Sequence, residues 1–335
     1  MSKSTFTSLR NTFVGVSVVV SVLLCLAWWR PWYVPPVPNL IRVGYLPIYV
    51  DLPLFVALEE DFFSDQKVLV EPVRFQSSPD MGVALALDRI DAAASIATSS
   101  ALGVETRDPG VFKIFLVDAE TASEYLSSLL VASSSEVVSV SELKSKVIGS
   151  FSGPTAKLFG PLALEALGLA RGDYEISEMP IGSHISALET GRVDAVITYE
   201  PTATQAVAKY GSRKLVPRLV ESNVIDPWQA GIWIISTKFI DRDPDLSIRF
   251  SHAIYNAVEF IRRNPDRAKE SLSPFTTIDL DVAHDTPNIP FTKVWEADLV
   301  TLQRHADMLA EEGMIQRKVE IPDLIMDLLR DKERP

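Results

Sequence analysis

From Ile41 onward, two hydrophobic periodicities alternate along the chain. Short apolar runs that suit buried strands are followed by stretches with apolar residues at three- and four-residue spacing, the mark of a helix with one buried face. "IRVGYL" at Ile41 predicts a strand ending in the loop "PIYVDLP", and "PLFVALEEDFF" predicts a helix. "VLVEPVRF" (Val68–Phe75) predicts a second strand, "SSPDMGVALAL" a helix opened by capping residues, and "DAAASIA" a third, buried strand. "VFKIFLVD" (Val111–Asp118) adds another. The pattern then restarts with "LLVASS", "VIGSFSG", "YEISEMPI" and "VDAVITYEP" as strands. The helices predicted among them are "SVSELKSK", "TAKLFGPLALEALGL", "SHISALETG" and "TATQAVAKYG". "WQAGIWIIST" at Trp228 reads as a return strand, and the tail is helical, with an aromatic stripe (Phe250, Tyr255, Phe260) that suits a core. Strands alternating with helices imply βαβ units and a parallel sheet, so the expected class is α/β.

One segment of this pattern occurs twice. "ALALDRIDAAASIAT" (Ala84–Thr98) and "ALETGRVDAVITYEP" (Ala187–Pro201) align without a gap, with Arg and Asp at matching offsets and Ile90 opposite Val193. In each, a helix ends at a turn residue (Asp88 or Gly191), and an aspartate (Asp91 or Asp194) stands where a short apolar strand begins. A repeated helix–turn–strand unit predicts two lobes of similar build, with the paired aspartates as structural turn residues.

Composition narrows the function classes. The 335 residues suffice for two ordinary domains, and 47% hydrophobic content describes a globular protein. A net charge of −12 argues against a nucleic-acid partner, which needs clustered Lys and Arg. The single cysteine, Cys25, excludes an internal disulfide and a cysteine-based metal cluster. His184, His252, His284 and His305 show no paired metal spacing. No cofactor is expected, and neither a nucleophile elbow nor a Ser/His/Asp order appears; "GSFSG" at Gly149 has the wrong spacing.

The N-terminus differs from the body. "FVGVSVVVSVLLCLAWW" lies in an uncharged stretch from Asn11 to Trp29, about the length a helix needs to cross the hydrocarbon core. Lys3 and Arg10 precede it, and Trp28, Trp29, Trp32 and Tyr33 follow as interfacial anchors. A signal peptide would have a shorter core and a small-x-small site, and Leu24 stands before Cys25 where lipidation wants a small residue. The expectation is an uncleaved anchor over residues 1–30, a stiff proline-rich spacer over 31–40, and the body on the extracytoplasmic side. Cleavage, or lipidation at Cys25, stays open as the alternative.

The body resembles a known family, the substrate-binding proteins of the nitrate, sulfonate, taurine and thiamine-precursor type. The resemblance rests on the opening "RVGYLPIYVDLPLFVALEEDFFSDQKVLVEPVRFQSSPDMGVALALDRIDAA" and on "SELKSKVIGSFSG". "ALETGRVDAVITYEP" and the C-terminal "LQRHADMLAEEGMI" complete it. Glu60-Asp61 departs from the lysine or glycine usual there, and the membrane anchor from the usual export signal. The resemblance implies a two-lobed type II periplasmic-binding-protein fold, each lobe a mostly parallel sheet flanked by helices, with a ligand cleft between. The expected partition is lobe 1 over 41–125 and 226–335, and lobe 2 over 126–225. The implied function is membrane-tethered capture of a small organic or anionic solute for an ABC importer, with a permease as partner, a monomeric body and no catalysis. The alternatives are a sensory or accessory binding domain and, more remotely, a thiamine-pyrimidine biosynthetic enzyme. That enzyme needs a cysteine-rich iron motif, which a chain with only Cys25 lacks.

In open parallel sheets ligands sit beyond the carboxyl ends of strands. This rule selects Tyr45, Leu46 and Pro47, then Ser77 and Ser78, then Ala97, Thr98 and Ser99. In the second lobe it selects Ser150, Ser152, Gly153 and Thr155, then Gly182, Ser183 and His184, then Tyr199 and Glu200. Helix N-termini with hydroxyls suit an anion such as a sulfonate, nitrate or carboxylate. The same serines also serve as plain helix caps. Tyr45, Tyr49, Asp51, Tyr199, Glu200 and Trp228 suit instead a heteroaromatic amine held by stacking and acidic acceptors.

Overall fold

The first apolar run of the body forms β1 (Leu40–Tyr45), and the following runs form β2 (Leu69–Arg74), β3 (Ala92–Ala97) and β4 (Phe112–Asp118). The second series forms β5 (Ser127–Val131), β6 (Val147–Ser150), β7 (Glu175–Glu178), β8 (Ala195–Tyr199) and β9 (Arg213–Pro217). The chain then adds β10 (Gly231–Ser236) and β11 (Phe291–Lys293). This computed structural model describes residues 39–326. The expected membrane anchor, Cys25 and nearly all of the proline-rich spacer lie outside the described residues. Among the described residues, no helix is long and apolar enough to cross a membrane.

The strands make two sheets, one of order β11-β4-β10-β3-β1-β2 and one of order β7-β6-β8-β5-β9. The two orders correspond: β2-β1-β3-β10-β4 in the first matches β7-β6-β8-β5-β9 in the second. The expectation of mostly parallel sheets is corrected here, because both are mixed. β1 pairs with β3 and β6 with β7 and β8 in parallel, whereas β10 runs antiparallel to β3 and β4, and β5 antiparallel to β8 and β9. The physical reason is the chain's path. It leaves the first sheet after β4 and returns at β10, so the strand arriving from the other sheet inserts between two strands already laid down and points the opposite way. The two crossings pair with each other: Glu120 N–H donates to the Trp228 carbonyl at 3.1 Å, and Trp228 N–H to the Glu120 carbonyl at 2.7 Å.

The repeated segment has equivalent roles in the two sheets. Asp91 N–H donates to the Arg42 carbonyl and Asp194 N–H to the Val147 carbonyl, both at 2.8 Å. In return the Asp91 carboxylate accepts Arg42 N–H at 3.0 Å and the Asp194 carboxylate accepts Val147 N–H at 2.9 Å. Each aspartate therefore clips the start of its own strand to the neighbouring parallel strand, at the amino end of the sheet.

The core follows the periodicities. Along the second sheet, Leu129 and Ile197 pack on one face while Leu130 and Val196 pack on the other, as strand alternation requires. Helix Pro244–Arg263, capped by the Asp243 side chain, buries Phe250, Ile254, Val258 and Ile261 on one stripe against the first sheet's core. Phe250 and Tyr255 of the predicted aromatic stripe are buried, and Phe260 is partly buried. Helix Thr98–Arg107 and strands β9 and β11 were not expected from the pattern. β9 is half-buried along its whole length, so it has no apolar face to signal it. The described residues from Ile41 onward form one compact unit.

Candidate functional site

A cavity of about 540 Å³ lies where the carboxyl ends of strands from both sheets converge. The first sheet contributes Leu46 and Pro47 after β1, Arg74 to Ser78 at and after β2, and Ala97 at the end of β3. The second contributes Phe151, Ser152 and Gly153 after β6, Met179 and Pro180 after β7, and Tyr199 at the end of β8. Ser95, Ala230 and Gly231, all buried in β3 or at the start of β10, line its deep side. Such convergence at strand ends is what mixed and parallel α/β sheets offer a ligand.

Of the sequence-selected residues, Pro47, Ser77, Ser78, Ser152, Gly153, Thr155 and Tyr199 line this cavity, together with Leu46, Ala97 and Gly182. Ser77 is a helix cap, accepting Asp80 N–H at 3.3 Å and donating to the Asp80 carboxylate at 2.7 Å. Ser78 accepts Ala97 N–H at 3.1 Å. Gly153 adopts φ +115°, a conformation that favours glycine, and a Cβ there would also press on Pro79.

The remaining selected residues stand behind the wall. Tyr45 packs edge-on against Phe55 and Phe275. Thr98 is fully buried and donates to the Gln229 carbonyl at 2.8 Å. Ser99 exchanges a 2.5 Å hydrogen bond with Thr155, joining helices of the two sheets. Ser150 is buried at the end of β6. Ser183 ends a short 3-10 turn, and its carbonyl accepts the Ser186 hydroxyl. His184 is buried, with Nδ1 2.9 Å from Thr198 Oγ1; burial lowers its pKa to about 4, so the ring is neutral at pH 7. Its ring supports Phe151, a wall residue, at 4.9 Å. Glu200 is fully buried, paired with Lys214 at 2.9 Å and accepting Thr204 N–H at 2.9 Å. Of the group read as suiting an amine, Tyr49, Asp51 and Trp228 are also buried outside the wall.

The cavity is apolar over much of its wall, with Leu46, Ile48, Val50, Leu126, Met179 and Ile185 joined by the rings of Phe75, Phe151 and Tyr199. Tyr199 lies against Phe151 with ring centroids 4.4 Å apart and planes tilted by 33°, and meets Trp228 edge-on at 5.9 Å. Burial first, then the nearby Glu221 and Glu120, raise its pKa, so its hydroxyl remains a neutral donor. Arg74 is the cation among the lining residues and Asp80 the carboxylate. Asp80 is engaged by Ser77, whereas Arg74 is exposed and makes no hydrogen bond or ion pair with another described residue.

Sequence reasoning missed Arg74, Gln76, Phe75 and Phe151, although all lie at or just after strand ends; after β2 the selection began at Ser77, three residues past Arg74. Gln205 and Thr277 could not have been found that way. They come from segments distant in sequence, and meet on the wall through a 3.1 Å bond from Gln205 Nε2 to the Thr277 carbonyl.

Two paired mixed sheets, joined by two crossings with a cavity between their strand ends, are the fold of periplasmic binding proteins. The aliphatic sulphonate binding protein SsuA of Escherichia coli shares it, with a TM-score of 0.69 at 18% identity over 87% of this chain and 92% of that one. So does the nitrate-binding protein NrtA of Synechocystis PCC 6803, with a TM-score of 0.68 at 13% identity over 88% of each chain. By sequence, the chain is 27% identical over 284 residues, 82% of either protein, to a Bacillus subtilis (strain 168) protein assigned as an aliphatic sulfonates-binding protein. These three are binding proteins, not enzymes. Residues 35–273 match the model of the NMT1-like family, and the chain belongs to that family.

Proposed function

We propose that this chain is the extracytoplasmic solute-binding component of an ABC importer, and that it captures an organic anion in the cavity between its two sheets. The observation that carries this reading is the Arg74 guanidinium, which has no partner among the described residues, beside a largely apolar cavity of about 540 Å³. A guanidinium presents a planar fork of donors matched to carboxylate, sulfonate or phosphate oxygens. The volume falls within the roughly 300–1,000 Å³ range of small-molecule sites and exceeds what a bare inorganic anion fills. An organosulfonate, with an apolar body and a charged head, suits both features, and the names of the sulfonate-binding relatives support it.

In this reading residues 41–125 and 226–335 form one lobe and 126–225 the other. Ligand drawn between them favours closure by hinge motion at the two crossings, and the N-terminal apolar segment tethers the body beside its permease. The ligand contacts proposed are Arg74, the Ser77–Ser78 and Ser152–Thr155 turns, and Tyr199.

The test is thermal stabilisation of the purified full chain by alkanesulfonates, arylsulfonates and nitrate. A ligand at 100 times its dissociation constant adds about 2.7 kcal/mol of stability. The expected result is a shift with organosulfonates that Arg74→Ala reduces at least tenfold in affinity. A shift with nitrate alone, or sulfonate binding that Arg74→Ala leaves intact, refutes the assignment.

A further inference from the structure

The two crossings between the sheets are stapled to each other by buried acids. The first crossing runs from the end of β4 to β5, and the second from the end of β9 to β10. Glu120 of the first accepts Ala230 N–H of the second at 3.2 Å. Glu221 of the second accepts the N–H groups of Leu126 and Ser127, at 2.9 and 3.0 Å, where the first enters β5. Asp118 ends β4 beside them, accepting the Ser95 hydroxyl and, at 3.1 Å, Trp233 Nε1–H, while Asp51 accepts Leu46 N–H at 2.6 Å. These four acids are buried beneath the cavity floor, since Leu46, Ser95, Leu126 and Ala230 all line the cavity. Gly231 keeps the group close: a Cβ at that position would collide with Ser95 Oγ and the Asp118 carboxyl. Among the described residues no cation pairs with any of the four, and Asp51 Oδ1 and Glu120 Oε1 are buried without a hydrogen-bond partner.

The other titratable groups facing them bring no counter-charge. Tyr199 of β8, close to Glu221 and Glu120, is held neutral by burial, and Lys214 is already matched by Glu200. His305, behind Gln229 of the second crossing, is lowered by burial to about 3. Contacts also join the two halves of the chain across the cavity: Ser99 meets Thr155, Gln205 meets the Thr277 carbonyl, and Lys209 pairs with Asp279 at 2.7 Å. In the two-lobe reading this arrangement is the closed one. We propose that the crossings form a proton-operated hinge, in which protonated Asp118, Glu120 and Glu221 hold the lobes closed and their ionisation opens the cavity. Like charges in a dry site repel, and parting the crossings gives the ionised carboxyls the water that the closed site denies them. Burial raises all four carboxyls above their ordinary range, Asp118 to about 7, and the neighbouring Asp118 raises Asp51 and Glu120 further. The closed form therefore binds more protons than the open one. The closed-to-open ratio is greatest below the ordinary carboxylate range and falls, by about tenfold per pH unit for each such group, as pH rises toward the raised value. The inference goes beyond solute capture and rests only on the two lobes of that reading.

The test is a distance measurement between two spin labels, by pulsed electron paramagnetic resonance, on the purified full chain. The labels are placed at two exposed positions, one in each lobe, by Leu87→Cys and Val138→Cys on a Cys25→Ser background. The expected result is a longer-distance population whose ratio to the shorter one grows at least tenfold from pH 5 to pH 8. Asp118→Asn combined with Glu120→Gln should hold the shorter distance throughout, with Glu221→Gln as the substitute if that variant does not fold by circular dichroism. A ratio that does not move with pH, that moves the other way, or that moves equally in the variants overturns the inference. If hexane-1-sulfonate or nitrate then still shortens the distance, the two-lobe reading stands. A distance indifferent to pH and to both anions overturns both.

Discussion

Replacing the two repeated aspartates by alanine should have unequal costs, although the sequence around them is nearly the same. The Asp91 carboxylate accepts Arg42 N–H, Nε and Nη2, each at 3.0 Å, and Arg242 Nη2 at 3.3 Å, with its side chain only 7% exposed. Asp194 accepts Val147 N–H at 2.9 Å and pairs with Lys146 at 3.2 Å, with its side chain 36% exposed. A hydrogen bond to a charged group contributes roughly 1.5–3 kcal/mol, and removing one partner of a buried pair costs roughly 3–5. The guanidiniums of Arg42 and Arg242 are 33% and 62% exposed and regain water when Asp91 is lost, so Asp91→Ala should cost about 3 kcal/mol. At 36% exposure the Asp194 carboxylate stays hydrated and screened, which takes its backbone bond below that range, so Asp194→Ala forfeits that bond and a surface ion pair for about 1 kcal/mol together. The gap of about 2 kcal/mol is a factor of roughly 30 in the folding equilibrium. Asp91→Asn, which keeps an acceptor for Arg42 N–H, should recover about half the loss. Equilibrium urea unfolding at neutral pH measures all three. If the two alanine variants agree within about 0.5 kcal/mol, the reasoning from burial and charge count is wrong.

Other consequences are equally direct. Glu200→Ala strips Lys214 of its partner and the helix Thr202–Tyr210 of an N-terminal acceptor, and should cost about 3 kcal/mol by the same unfolding assay, with Glu200→Gln retaining part of it. Gly231→Ala forces a methyl into Ser95 and Asp118, and should lower the melting temperature by at least the equivalent of about 2 kcal/mol. His184 has a folded pKa depressed to about 4, so its contribution is complete above about pH 6.5 and lost as pH falls. A fall of about 1.4 kcal/mol per pH unit between 6.5 and 4 should be shallower in His184→Gln. Asp118 has the opposite sign. Its folded pKa, raised to about 7 chiefly by burial, makes its contribution complete below its unfolded value and lost as pH rises through 7. Asp118→Asn should therefore gain stability relative to the parent between pH 4 and 7.5, and a constant difference across that range would refute this.

What the sequence alone determined is local and periodic. The apolar runs at Ile41, Val68 and Val111 became strands, "SSPDMGVALAL" became a helix capped by Ser77, and the Arg–Asp echo marked equivalent turns in the two sheets. Each signal lies within a dozen residues, where side-chain period and capping chemistry dominate. The tertiary structure alone decided the rest. It reversed β10 and β5, because strand direction depends on which sheet the chain returns from. It moved Glu200, His184 and Thr98 behind the wall, because the position after a strand does not say which way a side chain turns once a neighbour offers Lys214, Thr198 or the Gln229 carbonyl. And it set Asp51, Asp118, Glu120 and Glu221, spread over 171 positions of sequence, beneath one floor. Only packing can bring distant carboxyls together without counter-ions, since the free energy of burying them is met by contacts made throughout the fold.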